Sequence, residues 1–348
     1  VLLADAGSGP PRVGEALPSV ARVLLHDLGA GDALLTTGHL TCYANLSAWG
    51  STALGRTDFI DDPNGPGWHL DRARFDHGLL TEARSAGAET ASRTAVRAVH
   101  RRPDGDWTVA LRGHGPARTV RCRWLVDATG RRRALAARCG AARRHTDRLV
   151  ATCLELPAAP TAGGRAGEAS SLVESAADGW WYTALLPTGA RLVAHFTDAD
   201  LAPPPPGDRA AFDRLLDTTR YVAERAAAHP PGDGRPGRAP AHSSHLDTPT
   251  GDGWTAVGDA VAAFDPVSSQ GILTALHTGT AGALAVHARL DGDTAALDAY
   301  RRNVDALIAA YRRNHRAVYA TERRWADRPF WRRRHAPPGP PPPERTPA

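Results

Sequence analysis

The chain has 348 residues, 42% of them hydrophobic and 23% charged, enough to bury a large core in one large or two interlocked domains. Its 42 basic residues are all arginine against 37 acids, a formal charge of +5, but they are scattered and aromatics reach only 6%, which argues against nucleic-acid binding. Cys42, Cys122, Cys139 and Cys153 are too far apart for a Cys-x-x-Cys site, and no stretch approaches the roughly 20 apolar residues of a membrane span. A cytoplasmic protein with reduced thiols, no metal site and no membrane or nucleic-acid partner is expected.

Residues 1–5 read as a short strand ending in Asp5, followed by a stretch rich in Gly and Pro. Residues 15–28 carry Leu17, Val20, Leu24 and Leu28 at helical spacing, and Gly29 and Gly31 end the run. Residues 41–51 form a loop or irregular strand with Tyr43 and Trp49. A helix over 72–86 turns Phe75, Leu79 and Ala83 inward and stops at Gly87. Strands follow at 94–100, 107–112 and 119–127, the first two joined by a Pro103-Asp104-Gly105-Asp106 turn. From 150 to 197 the pattern becomes successive antiparallel strands at 150–156, 170–175, 180–186 and 191–197. Residues 208–229 read as helical and 230–240 as a Pro/Gly linker. A strand at 254–257 leads into a helix of small residues at 271–290. The last helix, 294–324, sets Leu297, Tyr300, Val304, Leu307, Ile308, Tyr311 and Val318 on one face and arginines on the other. Residues 331–348, with their proline run, are expected to be a disordered tail.

Chemistry concentrates in residues 258–272. Gly258 permits a tight exit from the preceding strand, and Asp259 offers a carboxylate to a hydroxyl donor. Pro266 fixes the chain ahead of a helix whose first N–H groups, at Gln270, Gly271 and Ile272, favour negative charge. Taken alone, a Gly-Asp pair is also a common strand exit, and an Arg such as Arg72 also serves in surface ion pairs. Two further segments accompany the first. Arg123-Trp-Leu-Val-Asp127-Ala-Thr-Gly130-Arg131 is a strand running into a glycine turn, and Gly67-Trp-His-Leu-Asp71-Arg72 opens a helix.

These three segments, in this order, resemble the FAD-dependent oxidoreductases of the aromatic-hydroxylase and tryptophan-halogenase superfamily. The resemblance implies an α/β fold: an FAD-binding Rossmann-like domain over 1–149 and 241–330, with an antiparallel-sheet substrate domain over 150–240 lying above the flavin. It implies that Gly258 and Asp259 hold the ribityl chain, and that Asp127, Gly130 and Arg72 lie beside the cofactor. Asp5 matches the acid that binds the adenosine ribose, and Arg12 and Glu15 match an Arg-x-Gly-Glu-x-Leu loop near the FAD. The superfamily's first βα unit, with its Gly-x-Gly-x-x-Gly turn, has no counterpart ahead of Asp5. An incomplete sequence is the favoured explanation over a genuine truncation, because the later motifs are intact.

On the substrate side the candidates are aromatic: His39, Tyr43, Trp49, Trp180, Tyr182 and His195. Gly179-Trp180-Trp181-Tyr182 loosely resembles the Trp-rich strand of flavin-dependent halogenases. Trp180 and Tyr182 would share one face of it and Trp181 the other. Halogenases of this group also use a Lys relay, and the sequence contains no Lys. The expected activity is therefore hydroxylation of an electron-rich aromatic small molecule or peptide group by O2, through a flavin C4a-(hydro)peroxide. NAD(P)H or a partner flavin reductase would supply electrons. The alternatives are an FAD dehydrogenase or reductase without oxygen insertion, and a truncated, catalytically silent remnant.

Overall fold

The computed structural model describes residues 1–7, 15–31, 33–113, 115–159, 169–203 and 207–336. A seven-stranded sheet dominates it. Its strand order is Gly237–Pro240, Leu149–Leu156, Arg191–Asp198, Gly179–Leu185, Ser171–Ala176, Ala44–Ala48 and Gly55–Asp58. The four central strands expected from the alternating pattern pair antiparallel, with Trp180 opposite Phe196 and Trp181 opposite His195. The sheet extends further than residues 150–240 on one side. Ala44–Ala48, from the stretch expected to be a loop or irregular strand, pairs parallel with Ser171–Ala176 and carries Gly55–Asp58 at its edge.

Both faces of this sheet are covered, so Arg191–Asp198 is buried at every position. One face packs Trp181, Leu154 and Val193 against Phe212, Leu216 and Val222 of two short helices. These helices, Arg209–Leu216 and Tyr221–Ala227, replace the single helix expected over 208–229. The break has a local cause. The Thr218 and Thr219 hydroxyls donate back to the Leu215 and Leu216 carbonyls, while the buried Glu174 carboxylate accepts from the N–H groups of Arg220, Tyr221 and Val222, starting a new helix.

The second region holds the short strands of the motifs. Leu2–Asp5 pairs parallel with Glu89–Ser92, a strand the sequence pattern missed. Ala95–Arg101, Trp107–Arg112 and Arg118–Cys122 form an antiparallel meander. The strand expected over 119–127 divides in two: its second part, Leu125–Asp127, leaves the meander and pairs parallel with Trp254–Ala256. Helix Gly271–Leu290 has the expected bounds. The helix expected over 15–28 is confined to Ala21–Asp27, because Ala16–Leu17 pairs with Gly67–His69 and Pro18 interrupts the run. The linker expected over 230–240 ends in an edge strand, since Gly237–Pro240 pairs with Leu149–Leu156.

The C-terminal arm corrects two expectations. On helix Ala296–Thr321 the inward residue is Tyr319, fully buried, whereas Val318 is exposed. Residues 331–335, expected within the tail, are helical instead: helix Pro329–His335 buries Phe330 and Trp331 completely against the second face of the large sheet. Residues 337–348 lie outside the described residues. Charge fastens the arm. Arg333 and Arg334 reach Asp198, and the buried Glu322 accepts from Arg324, Ser175 Oγ and the Gly50 N–H. Among the described residues no helix is long and apolar enough to cross a membrane.

Burial opposes ionisation of Glu322, but hydrogen bonds from Arg324, Ser175 and two backbone N–H groups outweigh it and hold the carboxyl down at about 2. A carboxyl depressed in the fold stabilises above its unfolded pKa and loses that contribution as pH falls towards the folded value. Urea titrations should therefore show the wild type losing stability between the ordinary Glu range and about 2 more steeply than Glu322→Gln. At neutral pH the variant should be less stable by about 3 kcal/mol, because it breaks a buried pair. Equal stability of the two proteins at neutral pH would contradict this anchoring role.

Candidate functional site

Two segments distant in sequence meet at one corner. Leu125–Asp127 and Trp254–Ala256 pair in parallel, and the Val257 N–H donates to the Asp127 carbonyl at 3.0 Å. The first strand ends in Asp127, the second is followed three residues on by Asp259, and the two acids have different surroundings. The Asp127 carboxylate is 1% exposed and accepts from the N–H groups of Thr129, Leu135 and Ala136 and from the Thr129 hydroxyl. Its side chain therefore builds the turn that follows, and Gly130 stands at the rim of that turn in the left-handed region, φ 62°, with open space where a Cβ would lie.

Asp259 is the opposite case. Gly258 takes φ 57°, which L-residues with side chains rarely adopt, and its N–H donates to Thr278 Oγ1 at 2.7 Å. That contact fixes the turn against the helix Gly271–Leu290. The Asp259 side chain remains 37% exposed while Gly258 and Ala260 are buried, and its ion pair to Arg131 Nε is long, at 3.6 Å. Burial pushes its carboxyl up, and Arg131, Arg133 and Arg72 pull it back only in part. A carboxylate in this state gains from hydroxyl donors arriving from the open side.

Two arginines hold the turn, and neither stood among the expected site residues. Arg133, 1% exposed, donates Nε to the Ala260 carbonyl at 2.9 Å and Nη2 to the Ser244 carbonyl and hydroxyl. Burial, with Arg143 and Arg131 close by, lowers its guanidinium to about 10. Arg131 bonds the carbonyls of His242 and Phe264. The Arg-rich run after Gly130 was visible in the sequence, but its partners lie more than a hundred residues away.

Past this turn the chain runs through Asp265 and the exposed Pro266 to the start of helix Gly271–Leu290. No side chain caps that helix, Gly271 is exposed, and nothing occupies the space of its missing Cβ. Gln270 and Ile272 flank it half-buried, and Ile272 and Leu273 pack against the cluster around Leu17, Leu25 and Phe75. Gly130, Asp259, Pro266, Gln270 and Gly271 are thus all at least partly accessible, whereas Asp127, Gly258 and Ala260 are buried. A carboxylate open to hydroxyl donors and a helix start with unpaired N–H groups are the chemistry on which a flavin's ribityl chain and ring edge would call.

The other expected residues are dispersed. Asp5 accepts from the Gly7 N–H on the separate two-stranded sheet, and Arg12 lies outside the described residues. Glu15 is buried and accepts from Tyr182 Oη. Beside this pair lies a residue the sequence did not single out, the buried His69, which bridges the Leu185 carbonyl and Ser171 Oγ. His39 accepts from the Asp71 N–H through Nδ1 and donates to the Leu34 carbonyl, so it braces the helix start near Arg72. Arg72 itself sits 3.4 Å from Asp76. Tyr43 is exposed on the surface. Trp180 and Trp181 face opposite sides of the sheet as expected, but both are buried: Trp180 stacks on Phe196 and Trp181 on His195. Burial lowers His195 to about 4. Trp49 contacts Trp180, Tyr319 and Trp331 edge-on.

A family model of tryptophan halogenases matches residues 60–346, well over half of the chain. The chain belongs to the tryptophan halogenase family. It is similar to LodB of Marinomonas mediterranea, named as a FAD-dependent oxidoreductase, with 29% identity over 301 residues, 84% of this chain and 78% of LodB. In fold this family member is similar to the myxobacterial chondrochloren halogenase CndH, with a TM-score of 0.85 and 23% identity, covering 96% of this chain and 80% of CndH. It is also similar to the peptidyl tryptophan dihydroxylase QhpG, with a TM-score of 0.78 and 24% identity, covering 96% and 72% of the two chains. The expected mixed α/β architecture of FAD-dependent halogenases and monooxygenases is therefore the one this family member adopts.

Replacing Gly258 tests the corner itself. Gly258→Ala forces a Cβ into the left-handed region at 3.4 Å from Ala275 and should cost about 1–2 kcal/mol. Chemical denaturation should show that loss without a change in m-value, and a variant as stable as the wild type would mean the turn is not constrained as described.

Proposed function

We propose that this tryptophan halogenase family member is an FAD-dependent monooxygenase that hydroxylates an electron-rich aromatic group, on a small molecule or within a peptide. The observation that carries the reading is the half-exposed Asp259 beside a left-handed glycine and an uncapped helix start. Reduced flavin bound there supplies the activation of O2. The residues of this chain do the rest. Asp259 accepts from the ribityl hydroxyls and orients the ring system. The N–H groups of Gly271 and Ile272 favour negative charge on the ring edge that meets the helix. Arg133 keeps the turn rigid through the Ala260 carbonyl and Arg131 ties down the chain after it through the Phe264 carbonyl, so Asp259 is already positioned when the cofactor arrives.

Hydroxylation is favoured over halogenation because the sequence has no Lys to serve as the halogenases' relay. A peptide-borne aromatic substrate is supported by QhpG, a peptidyl tryptophan dihydroxylase. The electron donor in this reading is NAD(P)H or a partner flavin reductase.

Asp259→Asn should weaken FAD binding by about tenfold, roughly 1.4 kcal/mol, by removing the charge that hydroxyl donors meet. Burial raises this carboxyl in the flavin-free protein, and a raised carboxyl withdraws stability as pH climbs through its folded value. The flavin-free Asn variant should thus be no less stable than the wild type at neutral pH. Flavin fluorescence titration and thermal denaturation read the two effects separately. With isotope-labelled O2, an aromatic substrate and a reductant, the product should carry labelled oxygen. Complete release of the label as hydrogen peroxide or water, with no labelled product, would sink the monooxygenase reading.

A further inference from the structure

The motif that ends the candidate site joins a continuous run of oxidisable side chains that reaches the protein surface. Asp265 stands directly before Pro266, and its carboxylate accepts from Tyr319 Oη at 2.8 Å. His315 lies 3.2 Å from the same oxygen. Tyr319 is fully buried, and Trp180 Nε1 donates to its hydroxyl at 2.9 Å. From the Tyr319 ring the tryptophan centroids in contact are Trp49 at 5.5 Å and Trp331 at 5.8 Å. Trp331 lies 5.3 Å from Trp49 and 6.2 Å from Trp325, which is half-buried and stacked under the Arg324 guanidinium. Packing alone accounts for a cluster of large aromatic rings. It does not account for a buried phenol that donates to the carboxylate directly before Pro266 while its ring touches a tryptophan ladder leading outward.

We propose that Tyr319, Trp331, Trp49 and Trp325 form a one-electron conduit that removes stray oxidising equivalents from the site. This rests on the reading that O2 is activated there. Electron tunnelling decays steeply with distance, so rings in contact exchange electrons far faster than a buried radical reacts with its neighbours. The step balances as follows. An oxygen-derived one-electron oxidant at the site takes one electron from Tyr319, and the phenolic proton moves to Asp265 Oδ2, leaving a neutral tyrosyl radical and a carboxylic acid. An electron then passes inward from Trp325 through Trp331, directly or by way of Trp49. Asp265 returns its proton to the phenolate oxygen, and the tryptophan cation left near the surface is reduced by a thiol-class reductant in solution. Oxidation of Tyr319 without its proton acceptor would create a buried phenol cation, which is why the short bond to Asp265 decides the route.

Pulse radiolysis of the purified chain tests this without flavin, so its outcome is separate from that of the oxygenase reading. Azide radical oxidises accessible tryptophan in one electron. With no thiol present to empty the surface end, the same exchange runs inward: in the wild type the tryptophan radical should decay as tyrosyl absorbance rises, at a rate independent of protein concentration and slower in deuterium oxide. Tyr319→Phe and Trp331→Phe keep the ring volume, and each should slow that phase by about tenfold or more. Trp325→Phe, at the half-buried end, should lower its amplitude even if an interior variant does not fold. Tyrosyl formation at the wild-type rate in Tyr319→Phe, or unchanged amplitude in Trp325→Phe, would overturn the conduit. The absence of any isotope effect would overturn the proton step to Asp265.

Discussion

The parallel pairing of Leu125–Asp127 with Trp254–Ala256 is the constraint on which the rest depends. It brings two strand ends more than a hundred residues apart in sequence into register, so that Asp127 and the Gly258-Asp259 turn face one another across a single corner. The two carboxylates then take different parts. Asp127 is saturated by four local donors and acts as a structural cap, whereas Asp259 has one long ion pair and a raised, incompletely compensated charge. Pre-organisation follows from the same arrangement. Arg133 and Thr278 fix the turn through backbone groups, leaving the Asp259 side chain available to a ligand.

A second constraint ties this corner to the large sheet. The C-terminal arm crosses the face of the sheet that the two short helices leave open, and Glu322, Arg333, Arg334 and the rings of Tyr319, Phe330 and Trp331 hold it there. Because Tyr319 also bonds Asp265, the arm connects the large sheet to the segment leading into helix Gly271–Leu290. Movement of the arm would therefore be felt at the helix start, through a buried polar contact rather than through apolar packing alone.

The sequence was most legible where a local rule suffices. The period-two strands between 149 and 198, the hairpin around Gly105 and the small-residue helix Gly271–Leu290 follow from patterns a few residues long. The motifs singled out Gly130 and Asp259, and the structure brings the two segments that carry them together. Long-range pairing was not legible. Ala44–Ala48 could not be assigned to the large sheet from its own residues, because its partner lies beyond residue 170. The Arg131 and Arg133 guanidinium groups end on carbonyls with no sequence signature. Helix Pro329–His335 was masked by the proline run that follows it, although Phe330 and Trp331 were a hint that the arm packs. Tyr182 and Trp180 were singled out for possible contact with substrate, and the structure gives both a hydrogen-bonding partner within the protein, Glu15 and Tyr319.

The most direct test of the central claim is an experimental structure of the protein with a bound flavin. A ribityl hydroxyl is expected within about 3.2 Å of the Asp259 carboxylate, with the flavin ring edge facing the N–H groups of Gly271 and Ile272. A flavin bound with Asp259 left to solvent, or on another face of the molecule, would contradict that claim.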